Sequence, residues 1–219
     1  QRGSASAACG DVVLETSHWS EITRRRAMLA RFQGLQVDAS QGRPDPATVA
    51  KLAELLGQVE LYTILSPLEH MYQSGAPEVR LCVMRALERF MYKRTFVTVR
   101  AALDDDDDGV RKQAHQTTEA LRFPHAFDPL ARIFRESNDD RARASALRAI
   151  ARIDTAEAAE LLLGVIEHEG NAERGAAVDA LKRSRGNVFP EIARQMLNTL
   201  SDDAQRAVRE VLSARGEVV

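Results

Sequence analysis

Cysteine is nearly missing from this 219-residue chain, which has only Cys9 and Cys82. Cys9 lies in a small-residue stretch and Cys82 in a helical pattern. Neither a disulfide framework nor a zinc cluster is on offer, and both read as free thiols. Aromatic residues make up 5%, few for a β-sandwich or a doubly wound sheet. No run reaches the roughly 18 apolar residues of a membrane helix, and no six-residue alternation suggests a strand. An excess of one charge is also missing: 30 cations against 32 acids leave a net charge of −2. That removes the global basic field of a dedicated nucleic-acid binder. Lysine occurs only at Lys51, Lys93, Lys112 and Lys182, so 26 of the cations are arginine.

What is present describes a folded protein. Apolar residues are 44% and charged residues 28%, enough to bury a core and too balanced for disorder. Residues 1–17 read as a flexible tail or a vector-derived scar, with Gln1-Arg2-Gly3-Ser4 as the scar. Ala5 to Cys9 also resembles the end of a secretory or lipoprotein signal that lacks its apolar region. The expected location is cytoplasmic, with export or anchoring as the alternative if Ala5–Cys9 is a signal remnant.

The chain repeats itself. Arg80, Arg111, Arg143 and Arg174 stand 31 or 32 residues apart, with Val49 and Gln205 continuing the column at either end. Three places further on stand Leu52, Val83, Ala114, Ala146, Ala177 and Val208. Seven places on stand Leu56, Leu87, Thr118, Ile150, Leu181 and Leu212. With the sixth-place column of Leu55, Ala86, Thr117, Ala149, Ala180 and Val211, these positions share one side of a 3.6-residue helix. Each block follows turn or cap chemistry, as at Asp45-Pro46, Gly75-Ala76-Pro77, Asp108-Gly109, Asp139-Asp140, Gly170-Asn171 and Asp202-Asp203. Between the blocks, further helices are predicted over 61–72, 96–103, 129–134, 156–166 and 192–200, and a first one around 22–32. A helix pair of this length cannot bury its stripe alone, so the pairs must stack.

The segments Pro77-Glu78-Val79-Arg80, Asp108-Gly109-Val110-Arg111 and Asp140-Arg141-Ala142-Arg143, the last two followed by Ala114 and Ala146, resemble short HEAT-like repeats of the type found in phycobilin lyases. The resemblance covers residues 46–214. It implies an all-α fold, a right-handed α-solenoid of five to six antiparallel helix pairs in a single domain over 18–219. It says little about function, because that family includes scaffolds, regulators and a few enzymes. It also implies a structural role for Arg80, Arg111, Arg143 and Arg174, reaching acids or helix ends between neighbouring repeats.

Candidates for chemistry are weak. Asp104 to Asp108 lacks the alternating ligands of a calcium loop and reads as a solvated, mobile capping turn. Glu69-His70 and His168-Glu169 invite comparison with HEAT-repeat di-iron hydroxylases, but their order is reversed and each occurs once; His18, His115 and His125 add no ligand spacing. No Gly-x-Ser-x-Gly elbow or phosphate-cradling loop is present. Trp19 is the sole tryptophan a glycosylase-like groove could use.

The exposed side of the block helices is more informative. Five places past the arginine column stand Glu54, Arg85, Gln116, Arg148, Asp179 and Glu210; nine places past it stand Gln58, Arg89, Ala120, Arg152, Arg183 and Ala214. Arg85, Arg89, Arg148, Arg152 and Arg183 thus form a broken basic ladder, expected to line a concave groove for a protein partner such as an acidic peptide or helix. The sequence therefore reads as a non-catalytic interaction scaffold or regulatory module without cofactor or metal. The alternatives are a HEAT-like enzyme, either bilin-lyase-like or DNA-glycosylase-like, and a linker segment of a larger protein.

Overall fold

The computed structural model describes residues 46–58 and 62–217. The expected helix at 22–32, residues Cys9, His18 and Trp19, and the first residue of the 61–72 helix lie outside them. Among the described residues there are eleven α-helices and no strand, and no helix is long and apolar enough to cross a membrane. The described residues are all-α and built of stacked helix pairs, as in an α-solenoid. Its contacts separate two compact units, divided in sequence between Phe90 and Met91.

The first unit contains α1 (Pro46–Leu56), a 3-10 turn (Tyr62–Ile64), α2 (Leu65–Ser74) and α3 (Pro77–Leu87). Helix α1 lies along α3 with α2 packed on both. Leu56, Ile64, Leu65, Leu68, Val83, Met84 and Leu87 are buried between them. The approach of α1 to α3 is close: a Cβ on Gly57 would stand 2.7 Å from the Ala86 Cβ and 2.9 Å from its Cα. Two small residues in facing positions let the backbones come together there. Pro77 opens α3 at its first helical position, where no amide hydrogen is needed.

The second unit contains α4 (Thr95–Leu103), α5 (Asp108–Ala120), a 3-10 turn (Pro124–Ala126), α6 (Phe127–Glu136), α7 (Asp140–Ile150), α8 (Ala156–His168), α9 (Asn171–Arg183), α10 (Val188–Met196), a 3-10 turn (Leu197–Thr199) and α11 (Asp202–Ala214). Helices α5, α7, α9 and α11 pack side by side as one layer; α4, α6 and α8 lie on α5, α7 and α9 as a second, and α10 packs on α8. The columns from the sequence form the seam. Ala114, Thr117, Thr118, Ala146, Ala149, Ile150, Ala177, Leu181, Val208, Val211 and Leu212 are all buried. Alanine at the third place keeps adjacent helices close, and the leucine or isoleucine at the seventh fills the space between layers.

The caps are local. Asp107 accepts from Val110 N, Asp139 from Arg141 N and Ala142 N, Thr155 from Ala158 N, and Ser201 from Ala204 N. Gly216, at φ 75°, takes the left-handed conformation just past α11.

Some boundaries differ from the sequence reading. Helix α6 starts two residues before Pro129, and α10 starts at Val188 rather than Ile192. In each case the proline (Pro129, Pro190) sits inside the first turn, where the missing amide costs nothing. The N-terminal amide of α10 is met from afar: Val188 N donates to Asp154 Oδ1 at 2.9 Å, an acid placed just after α7. The Asp104–Asp108 turn is also not fully solvated. Asp105 is 8% exposed and its carboxylate accepts Asp107 N.

Candidate protein-interaction surface

The arginine column is half-buried at each position. Arg111 Nη1 donates to the carbonyls of Asp105 (2.6 Å) and Asp106 (3.0 Å), and Nη2 reaches Asp108 Oδ1 at 3.1 Å. That fork draws the acidic turn against α5 and offsets the repulsion among its carboxylates. Arg80 Nη1 donates to Gly75 O at 3.4 Å and Arg174 Nη2 to Glu167 O at 3.5 Å. Three of the four therefore reach carbonyls at or just past the end of the preceding helix of their own pair. Arg143 reaches forward instead, to Glu173 (3.0 Å) and Glu169 (3.5 Å) of the next pair, with its guanidinium 5.1 Å from the Phe134 ring centre. Gln205, which ends the column, makes the carbonyl contact too: its Nε2 donates to Leu200 O at 3.0 Å. An amide can replace the guanidinium because the acceptor is a carbonyl.

The predicted ladder falls in both units, so its parts are taken separately. In the first unit Arg85 and Arg89 are exposed at the C-terminal end of α3. In the second unit Arg148 is engaged: its Nε donates to Glu119 Oε1 at 2.8 Å and its Nη2 to Ser145 Oγ at 3.2 Å. Arg152 and Arg183 are exposed, and neither has a side-chain partner among the described residues. Lys182 carries the neighbouring ion pair, to Glu210 Oε1 at 2.6 Å. The exposed side of α7 and α9 thus holds both committed and available cations, a distinction invisible in the sequence.

His115, on α5 beside this face, faces Asp139, whose Oδ2 lies 3.4 Å from Nε2. Its Nδ1 is buried without an acceptor among the described residues. Burial holds its pKa below the ordinary value of 6.5; Arg141 and Arg148 act in the same direction, and Asp139 and Glu119 oppose it. The fold thus favours the neutral ring. Its contribution is complete above about pH 6.5 and falls as pH drops from there through the lower folded value. His115→Gln is expected to flatten the dependence of melting temperature on pH between 7.5 and 5; an unchanged slope would assign the acid sensitivity elsewhere.

Other candidates come to little. Cys82 is a buried free thiol whose pKa is raised by desolvation first and then by Glu54, an inert setting. Glu69-His70 lies on α2 and His168-Glu169 at the end of α8. Among the described residues no three His, Cys, Asp or Glu side chains converge on a point where a metal could sit. A cleft of about 110 Å3 opens between the ends of α4 and α6, beside Arg100, Asp104 and Glu136. The Glu136 carboxylate there is already held at 2.8 Å by both Arg100 and Arg132.

The family description "HEAT repeats" matches residues 37–121 and 127–213. The chain belongs to the HEAT-repeat family. No curated protein matches it. Among solved structures, it is similar to a designed armadillo repeat protein at 15% identity and a TM-score of 0.39, covering 82% of this chain and 98% of that one. It is also similar to the complex of CpcE and CpcF of phycocyanin lyase from Nostoc sp. PCC7120, at 20% identity and a TM-score of 0.36, covering 80% and 92%. A third similarity is to a designed armadillo repeat protein in complex with the peptide (KR)4, at 16% identity and a TM-score of 0.36, covering 82% and 98%. In HEAT-repeat terms, α5, α7, α9 and α11 are the second helices of consecutive repeats. Arg183 ends α9, and Arg152 stands two residues past the end of α7.

Proposed function

We propose that this HEAT-repeat chain is a non-catalytic interaction scaffold or regulatory module, and that a protein partner with exposed carboxylates docks on the exposed side of α7 and α9. A stacked-helix scaffold suits protein interaction, since each repeat adds surface without needing its own core. The observation that carries the reading is the pair of exposed arginines, Arg152 and Arg183, that the fold leaves uncommitted while it pairs Arg148 and Lys182 internally. Arginine presents a planar fork suited to carboxylates, at less desolvation cost than lysine. Arg85 and Arg89 of the first unit are a separate part of the same reading. No cofactor enters it.

The test is charge reversal. Arg152→Glu with Arg183→Glu is expected to leave stability within about 0.5 kcal/mol, as for exposed positions. It should lower recovery of the native partner by roughly tenfold or more, because two contacts and the steering field change sign together. Arg85→Glu with Arg89→Glu tests the first unit, and Arg135→Glu, exposed on α6, is the control. Unchanged recovery with the α7–α9 reversal, and loss with Arg135→Glu, would put the interaction on the opposite layer.

A further inference from the structure

Consecutive second helices of the second unit are joined by ion pairs in one register. Glu119, eight places past Arg111, meets Arg148, five places past Arg143, at 2.8 Å. Lys182, eight places past Arg174, meets Glu210, five places past Gln205, at 2.6 Å. Between these two rungs lies the α7–α9 seam, where the same count of places pairs Ala151 with Asp179. Ala151 offers no charge and is 5% exposed. Asp179 is exposed, and its carboxylate has no partner among the described residues. The rung is half built, and its uncommitted acid belongs to the helix pair that carries Arg152 and Arg183.

We infer that Asp179 is a specificity-determining residue of the docking face, which takes a partner segment bearing a Lys or Arg between two acidic residues. This rests on the docking reading above. The partner's cation would complete the rung at Asp179 as Lys182 completes the one at Glu210, while the flanking carboxylates meet Arg152 and Arg183. A uniformly acidic segment would bring a carboxylate against Asp179, where like charges repel. The outer rungs cannot select in this way, since their charges are already satisfied within the chain.

The test uses three labelled peptides that differ only at the central residue of a Glu-x-Glu core, with Lys, Ala or Glu at x. Their binding to the full chain is read by fluorescence anisotropy at about 50 mM salt, where exposed charges are weakly screened. The wild type is expected to bind the Lys peptide about fivefold more tightly than the Ala peptide, the size of one exposed ion pair, and the Glu peptide most weakly. Asp179→Asn should bring the Lys-to-Ala ratio to about one, and Asp179→Lys should invert the order. Ala151→Lys would supply the missing cation from within the chain and should also abolish the preference. Its folding is verified by circular dichroism because Ala151 is buried, and the exposed Asp179 variants stand without it. If the peptides bind and their order is the same in wild type and Asp179→Asn, the role of Asp179 is wrong while the docking face stands. If binding ignores Arg152→Glu with Arg183→Glu, or no peptide binds at all, the docking reading fails and this inference with it.

Discussion

Ile150→Ala is expected to destabilise the second unit by about 2–5 kcal/mol, the range for removing a fully buried aliphatic side chain and leaving a cavity. Ile150 closes α7 with no exposed surface in the seventh-place column of the repeat, the column that fills the space between helix layers. Its helix packs against α5, α6 and α9, so neighbours on three sides hold the cavity open and limit collapse. For a chain of this length the loss corresponds to a fall in melting temperature on the order of 10 °C. Arg152→Ala, two residues on and exposed, should stay within about 0.5 kcal/mol. Denaturant melts of both variants check the pair; a loss below about 1 kcal/mol at Ile150 would mean that the column does not form the core of the seam.

Arg143→Ala should cost about 1–3 kcal/mol by a different route. Its guanidinium joins Glu169 and Glu173 of the next repeat and stacks on Phe134. The Glu173 side chain is only 20% exposed, so truncation leaves a part-buried carboxylate without its counter-charge. Arg143→Lys keeps the charge but loses the fork and the stacking, and should fall between wild type and alanine. Arg111→Ala belongs to the same range, since it frees two carbonyls and removes a guanidinium that holds the Asp104–Asp108 turn. A melting curve unmoved by both alanine variants would remove the structural role from the column.

The repeat is legible in the sequence alone. Six second helices and their buried columns follow from periodicity, save that Leu52 and Leu55 of α1 are only half-buried, because a helix must turn its apolar stripe toward a neighbour and the stripe shows in the spacing. The boundaries of the first helices are less legible. Pro129 and Pro190 look like boundaries in sequence, yet a first helical turn tolerates proline. Asp154 supplies the start of α10 from the turn after α7, and no local pattern announces a cap that comes from 34 residues away.

The arginine column shows where sequence reading stops. Its position was legible, and so was its change to Gln205 at the end. Its acceptors were not, because a backbone carbonyl belongs to every residue and leaves no mark in composition. The five-residue ladder likewise read as one class of cation. Whether an exposed arginine is spent or available depends on what the adjacent helix sets against it, and that is decided by register across a seam. Glu119 takes Arg148 out of the ladder, Glu210 takes Lys182, and Ala151 leaves Asp179 open. By itself the sequence determined the block helices, their period and which face of each is turned inward, since all three are local consequences of where apolar side chains recur. Only the tertiary structure decided which charges remain for a partner, because ion pairs between helices depend on distances between residues that the chain separates by a whole repeat.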